Sequence, residues 1–221
     1  MARHVQLTAA DGHGFSAYRD GTDGPGLVVV QEIFGVNSHI RSVVERFAGQ
    51  GFSTVAPALF DRLEPGIEIG YTAEDVDAGR AYKARVSDEE ALHDIAAAVA
   101  LLAGEGRKVG VVGYCWGGAL TWRAATGLDG VSAAVGYYGG GIVNTADATP
   151  RCPVMLHFGE QDHGIPMSDV EKIIASQPDV PIHTYAAGHG FSCDARASFD
   201  AAAHELALSR TLEFLRENLS N

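Results

Sequence analysis

The sequence predicts a doubly wound α/β fold, in which helices cover both faces of a mostly parallel sheet. Two observations indicate it: short, continuously apolar segments recur along the chain, and amphipathic helical patterns lie between them. Continuous apolar strands are typical of a parallel sheet that is buried on both faces. The 221 residues suffice for one such domain, and we expect a single domain over residues 1–221.

Six buried strands are predicted from runs of apolar and β-branched residues that end at turn-forming residues. They span residues 27–31, 52–56, 108–113, 131–138, 154–158 and 182–185. An antiparallel hairpin is expected before them, because segments 5–7 and 15–18 flank a turn at Asp11 and Gly12.

Helical patterns fill the intervals between the strands. Residues 37–50 place their apolar side chains on one face, and a second helix follows Ser87 and Glu90, which form a capping-box pattern. A third helical segment covers residues 118–126, and the last helix is expected over residues 196–215. The alternation of strands and helices is what predicts the α/β class.

Charge and cysteine content exclude several classes of function. The formal net charge of −12 argues against nucleic acid as a partner, because phosphate binding needs a basic face. The chain has no apolar run of about 18 residues, so we expect no membrane span. It starts without a secretory pattern, and its three cysteines do not suggest a disulfide framework, so we expect a cytoplasmic protein.

The motif Gly-Tyr-Cys-Trp-Gly-Gly at residues 113–118 joins a predicted strand to a predicted helix. This is the context of a nucleophile elbow, with Cys115 in place of the usual serine. Gly113 and Gly117 leave room for the close backbone approach that the sharp turn needs. The helix N-terminus favours a thiolate and a developing oxyanion. Cys115 is therefore the candidate nucleophile, and a buried structural cysteine is the alternative.

Two later loops supply a candidate acid and a candidate base. Asp162 lies in a glycine-containing loop after strand 154–158, and His189 lies between two glycines after strand 182–185. The order nucleophile, acid, base is that of α/β-hydrolases. We expect His189 to act on Cys115 as general base while Asp162 orients its other ring nitrogen.

The segment Gln-Glu-Ile-Phe-Gly at residues 31–35 follows the first core strand. In this context it should supply one oxyanion-binding N–H, from Ile33, with the other coming from Trp116. Glu32 has two interpretations: a solvated carboxylate at a strand end, or a carboxylate near the Cys115 thiol that tunes its proton.

The chain resembles the dienelactone hydrolase (carboxymethylenebutenolidase) family over nearly its whole length. Residues 31–35, 113–118, 159–166 and 188–191 carry the resemblance. It implies an α/β-hydrolase fold and a Cys-His-Asp triad without a cofactor, and hydrolysis of a cyclic enol lactone to a keto diacid in chloroaromatic breakdown. By this match Cys115 is the nucleophile, His189 the base, Asp162 its orienting acid and Glu32 the partner of the thiol.

The resemblance also implies two arginines that hold the substrate carboxylate. Their expected positions, near 78 and at 193, hold alanine and cysteine in this chain. Arg80 and Arg196 are the nearby candidates, with solvated helix residues as the alternative interpretation. Tyr82 and Phe34, which lie in matching segments, are predicted to contact the substrate as well.

Three hypotheses of function remain open at this point. The first is a lactone or activated-ester hydrolase, the second a promiscuous carboxylesterase or thioesterase on the same triad, and the third a non-catalytic scaffold that binds a ligand. The histidines lack metal-binding spacing, and no dinucleotide motif follows the first strand, so we expect neither metal nor cofactor. The expected partner is a small ester or lactone, acted on by a monomer or weak homodimer.

Overall fold

The computed structural model describes residues 1–220, which form eight strands, six α-helices and two short 3₁₀ turns. Strands β1 to β8 span, in chain order, Arg3–Thr8, Gly14–Asp20, Gly26–Val30, Ser53–Pro57, Val109–Tyr114, Val131–Tyr137, Val154–Gly159 and Ile182–Tyr185. They form one sheet in the order β1-β2-β4-β3-β5-β6-β7-β8. Strands β3 to β8 run parallel to one another, whereas β2 pairs antiparallel with both β4 and β1.

Helices α1 to α6 connect these strands. They span, in chain order, Ser38–Gly49, Ala73–Lys83, Asp88–Gly104, Trp116–Gly127, Met167–Ser176 and Ala201–Leu219. Within residues 1–220, none of the helices combines the length and the apolar character needed to cross a membrane.

Side chains on β3 alternate between two apolar cores, one on each face of the sheet. Leu27 and Val29 pack in the core that α1 and α6 cover, and Val28 and Val30 pack in the core that α3 covers. All four side chains are fully buried, as the unbroken apolar sequence requires. The prediction of a mostly parallel sheet with helices on both faces is confirmed.

The predictions for the six buried strands agree with the structure to within one residue at each end. The N-terminal hairpin is also confirmed, since β1 and β2 pair antiparallel and the N–H of Ala9 donates to His13 O at 2.8 Å across the turn. Gly12 adopts a φ of 88° in this turn, in the left-handed region that glycine enters without strain.

The prediction for the last helix is wrong at its start. Residues 196–200 belong to a loop, and α6 begins at Ala201, where the Asp200 carboxylate accepts the N–H of Ala203 at 2.9 Å. Two helices, α2 and α5, were not predicted. A capping box between Thr72 and Asp75 precedes α2, so a local signal of the kind recognised at Ser87 was present.

Candidate active site

Strand register brings the four chemically important loops to one edge of the sheet. Val30 at the end of β3 pairs with Gly113 in β5, and Gly159 at the end of β7 pairs with Tyr185 in β8. Shortly after these strands end, β3 is followed by Glu32, β5 by Cys115, β7 by Asp162 and β8 by His189. Ligands bind at this carboxyl edge in open α/β sheets.

Cys115 occupies a strained turn between β5 and α4. Its φ of 57° and ψ of −117° lie outside the regions that L-residues favour. A Cβ at Gly113 would lie 2.1 Å from Gly117 O, and a Cβ at Gly117 would lie 2.4 Å from Val30 O. Both glycines are therefore needed for β5, α4 and β3 to approach closely enough to present the cysteine.

A continuous chain of hydrogen bonds joins the three predicted triad residues. His189 Nε2 lies 3.1 Å from Cys115 Sγ, and His189 Nδ1 lies 2.6 Å from Asp162 Oδ2. The other carboxylate oxygen of Asp162 accepts the N–H groups of Gly164 and Ile165 at 2.8 and 3.2 Å. These bonds fix the Asp162 carboxylate, which in turn orients the imidazole toward the thiol.

The same contacts determine the charges in the site. Burial acts to lower the pKa of His189, but its bonds to Asp162 and Cys115 outweigh burial and raise that pKa to about 10. Burial acts to raise the pKa of Asp162, but the His189 contact and the loop N–H groups lower it overall. An imidazolium thus faces Cys115 at neutral pH, which favours a thiolate.

Two backbone N–H groups are available beside Cys115. The N–H of Ile33 has no hydrogen-bond acceptor within residues 1–220. Trp116 is the first residue of α4, so its N–H has no intrahelical acceptor. The Trp116 ring is fixed by a 3.0 Å bond from Nε1 to Asp88 and by stacking on Phe60. The contacts of its ring therefore hold Trp116, one of the two predicted oxyanion donors, in place.

Glu32 is 1% exposed, so it is not a solvated carboxylate. Tyr71 Oη donates to its Oε2 at 3.0 Å, and Arg196 Nη1 lies 3.4 Å from its Oε1. Across residues 1–220, no hydrogen bond joins Glu32 to Cys115, whose thiol binds His189 instead. Tyr71 and Arg196 bind the Glu32 carboxylate instead, and the role of Glu32 as partner of the thiol stays a prediction.

The two candidate arginines differ in their surroundings. Arg196 lies in the loop before α6, with its guanidinium carbon 5.7 Å from the Phe34 ring centre and 5.8 Å from that of Tyr71. Its side chain is 20% exposed, so the solvated-helix interpretation is wrong for Arg196. Arg80 on α2 is 73% exposed and lies 3.6 Å from Asp77, as that interpretation expected.

Two cavities meet at Cys115 and His189. One of about 570 Å³ is also lined by Phe34, Arg80 and Arg196, and the other, of about 450 Å³, is also lined by Lys83, Arg123 and Ile142. Both have the size of small-molecule sites.

Tyr82 lines neither of the two cavities. Its ring lies 5.7 Å from that of Phe60, because α2 turns this side chain toward the core that α3 covers. The prediction that Tyr82 contacts substrate is therefore corrected, whereas Phe34 does line the larger cavity.

The other cysteines have surroundings unlike those of Cys115. Burial, followed by the charge of Glu32, raises the pKa of Cys193 to about 12, and burial raises that of Cys152 to about 11. Both thiols therefore stay protonated at neutral pH. Of the three cysteines, Cys115 is the one whose sulfur hydrogen-bonds to a histidine within the described chain.

Sequence reasoning missed Tyr71, which packs against Phe34 and binds Glu32 beside the site. Its hydroxyl donates to Glu32, accepts from Asn37 Nδ2 at 3.2 Å, and its ring packs 4.6 Å from that of Phe34. Tyr71 lies in an irregular segment without a recognisable motif, so no local signal could have revealed it.

A cysteine elbow with a histidine and an aspartate at the edge of this sheet defines an α/β-hydrolase. The model of the dienelactone hydrolase family matches residues 13–219, and the chain belongs to that family. It is an enzyme that hydrolyses lactones or carboxylic esters.

Comparison with individual proteins agrees with this assignment. The chain is 36% identical to carboxymethylenebutenolidase 1 of Cupriavidus pinatubonensis, over 96% of this chain and 95% of the relative. It is 35% identical to the carboxymethylenebutenolidase of Pseudomonas putida, over 97% and 96%. A Klebsiella pneumoniae crystal structure with a dienelactone hydrolase designation has a TM-score of 0.84 at 28% identity, covering 98% and 99% of the chains.

Proposed function

We propose that this protein hydrolyses a small, carboxylate-bearing enol lactone through a thioester formed on Cys115. The observation that carries the proposal is the chain of bonds from Cys115 Sγ through His189 to Asp162, at the point where the two cavities meet. The names of the relatives support the lactone as substrate, because carboxymethylenebutenolide is such a compound.

The proposed reaction has two halves. The Cys115 thiolate attacks the lactone carbonyl carbon, a carbon–sulfur bond forms, and the N–H groups of Ile33 and Trp116 bind the oxyanion. The ring carbon–oxygen bond then breaks, and the enolate leaves with its electron pair and takes a proton from the His189 imidazolium. Water attacks the thioester with His189 as base, releasing the diacid and restoring the thiolate and imidazolium.

Positive side chains support an anionic substrate in spite of the net charge of −12. Arg196 and Arg80 face one cavity, and Lys83 and Arg123 face the other. Arg196 is the favoured carboxylate ligand, because its guanidinium is pre-positioned by the Phe34 and Tyr71 rings and makes one long contact to Glu32. Phe34 would pack against the substrate beside it.

A broader carboxylesterase or thioesterase is the second candidate function. The observation that favours it is the position of the arginines: Arg80 is largely exposed, and Arg196 is already shared with Glu32. A site with this weaker hold on a carboxylate would accept neutral esters. We further propose that the chain acts as one domain, in the cytoplasm, as a monomer or weak homodimer.

The first experiment follows the ultraviolet absorbance of a dienelactone added to the purified protein. Wild type, Cys115→Ala and Cys152→Ala are compared, the last as the matched control because Cys152 lies outside both cavities. We expect rapid loss of the lactone with wild type and Cys152→Ala, and none above background with Cys115→Ala. Turnover that survives Cys115→Ala would contradict the proposed nucleophile.

Arg196→Gln and a parallel assay with p-nitrophenyl acetate separate the two candidate functions. For a lactone hydrolase, Arg196→Gln raises KM for the lactone at least tenfold and leaves KM for the neutral ester unchanged. Cys115-dependent cleavage of the ester without cleavage of the lactone would favour the broader esterase. Circular dichroism of each variant checks that it is folded.

A further inference from the structure

A second group of cysteine, histidine and carboxylate lies behind the active site. Glu32 follows β3, His39 is the second residue of α1, and Cys193 lies in the loop before α6. One potential ligand atom from each residue lies within 4.8 Å of the others, and the three residues are 1%, 3% and 0% exposed. The group is separate from the triad, although Glu32 adjoins Ile33.

His39 Nε2 is the unusual atom in this group. It is buried without a hydrogen-bond partner in the described chain, whereas Nδ1 lies 2.9 Å from Asp194 Oδ1. A buried ring nitrogen without a partner is costly. An imidazole that binds a carboxylate through one nitrogen and offers the other is the usual arrangement of a metal-ligating histidine.

We propose that Glu32, His39 and Cys193 form a binding site for a divalent transition-metal ion of the zinc class. Thiolate, imidazole and carboxylate are the ligands that Zn²⁺ prefers, and three such ligands leave a fourth position for water. With metal–ligand bonds of about 2.0–2.3 Å, tetrahedral ligand atoms lie roughly 3.3–3.8 Å apart, so the side chains would close by about 1 Å on the ion.

Binding of the ion displaces the proton of the Cys193 thiol, which leaves to solvent as the sulfur–metal bond forms. Glu32 contributes a second negative charge, and Asp194 lies behind His39. Two positive groups lie nearby. Arg46 is 3.3 Å from Asp194. Arg196 is held to Glu32 by its 3.4 Å contact, and its partly exposed side chain can move toward the cavity when the ion binds.

The test uses Co²⁺ as a coloured substitute for Zn²⁺, titrated into the Cys115→Ala protein under a reductant that contains no thiol. Removing Cys115 takes away the catalytic thiol, so a thiolate-to-cobalt band cannot come from the triad. We expect one Co²⁺ per chain, the visible bands of a tetrahedral site and a thiolate-to-cobalt charge-transfer band in the near ultraviolet. Absence of that band would overturn the proposal.

Further substitutions in the Cys115→Ala protein locate the ion. Cys193→Ser should abolish the charge-transfer band, His39→Gln should weaken binding at least tenfold, and the matched control Cys152→Ser should change neither. A band that survives Cys193→Ser, or an affinity that His39→Gln leaves unchanged, would overturn the proposal.

If Cys193→Ser or His39→Gln fails to fold, the Asp194→Asn variant provides the test of the metal site. Asp194 has a half-exposed side chain, so its substitution should leave the core intact. Loss of a carboxylate that orients a ligating histidine typically lowers metal affinity by about 10–100-fold. We expect a decrease of that size in Co²⁺ affinity, and an unchanged affinity in the folded variant would contradict the site.

Discussion

The protonation state of His189 depends on the two groups that its ring nitrogens contact. Asp162 is buried and held by two loop N–H groups, so its negative charge is fixed beside Nδ1. The resulting pKa of about 10 means that the imidazolium is present at neutral pH and is lost as the pH rises through that value. Cys115 therefore has a cation beside it over the range in which the enzyme is expected to act.

Substitution Asp162→Asn should weaken both the base and the nucleophile. The pKa of His189 should fall, so the imidazolium beside Cys115 is lost at lower pH. We expect a loss of about 10³–10⁴-fold in kcat/KM for an activated ester, by comparison with the loss of the orienting aspartate in serine hydrolases. The pH dependence of Cys115 alkylation by iodoacetamide measures the shift, and an unchanged profile would contradict the assigned role.

At the scale of the element, the turn between β5 and α4 depends on contacts with its neighbours. Gly117 has the backbone oxygens of Val30 and Gln31 at 2.4 and 2.5 Å from where a Cβ would lie. These oxygens belong to β3 and the segment that follows it, so neither can retreat without moving the Ile33 N–H. The close packing of α4 on β3 therefore also determines where the oxyanion donors lie.

Gly117→Ala should destabilise the protein and reduce activity together. Crowding of a packed interior costs about 1–3 kcal/mol, and we expect a loss of that size in the free energy of unfolding. Gly127→Ala is the matched control in the same helix, because its added Cβ meets nothing within 4 Å. Urea unfolding and ester hydrolysis measure the two effects; equal stability of the two variants would show that the close approach is unimportant.

At the scale of the whole molecule, Arg62 joins three distant parts of the chain. Its guanidinium binds Asp11 in the N-terminal hairpin turn at 2.9 Å and Asp94 in α3 through two bonds of 2.9 and 2.8 Å. Asp94 is fully buried. Burial raises the pKa of Asp94 against the opposing effect of Arg62, so the charged carboxylate depends on this partner.

Arg62→Met should therefore leave a buried carboxylate without its cation. Breaking a buried pair in this way typically costs about 3–5 kcal/mol, which is the decrease we expect in the free energy of unfolding. Arg151→Met is the control, since Arg151 pairs with the fully exposed Asp129 and such pairs contribute about 0–1 kcal/mol. Urea denaturation compares the stability of the two variants. Similar denaturation midpoints would mean that the Arg62 contacts contribute little to the free energy of unfolding.

Much of the fold could be predicted because its signals are local. The six buried strands were found to within one residue, since a buried parallel strand needs an unbroken apolar run such as Leu27 to Val30. The elbow at Cys115 and the loops of Asp162 and His189 were also found, because each follows a recognisable strand. In the structure, hydrogen bonds join these three residues. Their catalytic roles stay predictions, which the variants above test.

The surroundings of the triad were decided by tertiary structure alone. The loop before α6 carries Arg196 onto Phe34 and Glu32, α2 turns Tyr82 away, and α1 brings His39 to Cys193 from 154 positions earlier in the chain. No local sequence pattern encodes these side-chain orientations, because they depend on the space and the charged groups that distant segments of the chain provide. Sequence alone thus determined the sheet and the chemical groups at its edge, and packing between distant segments decided what surrounds them.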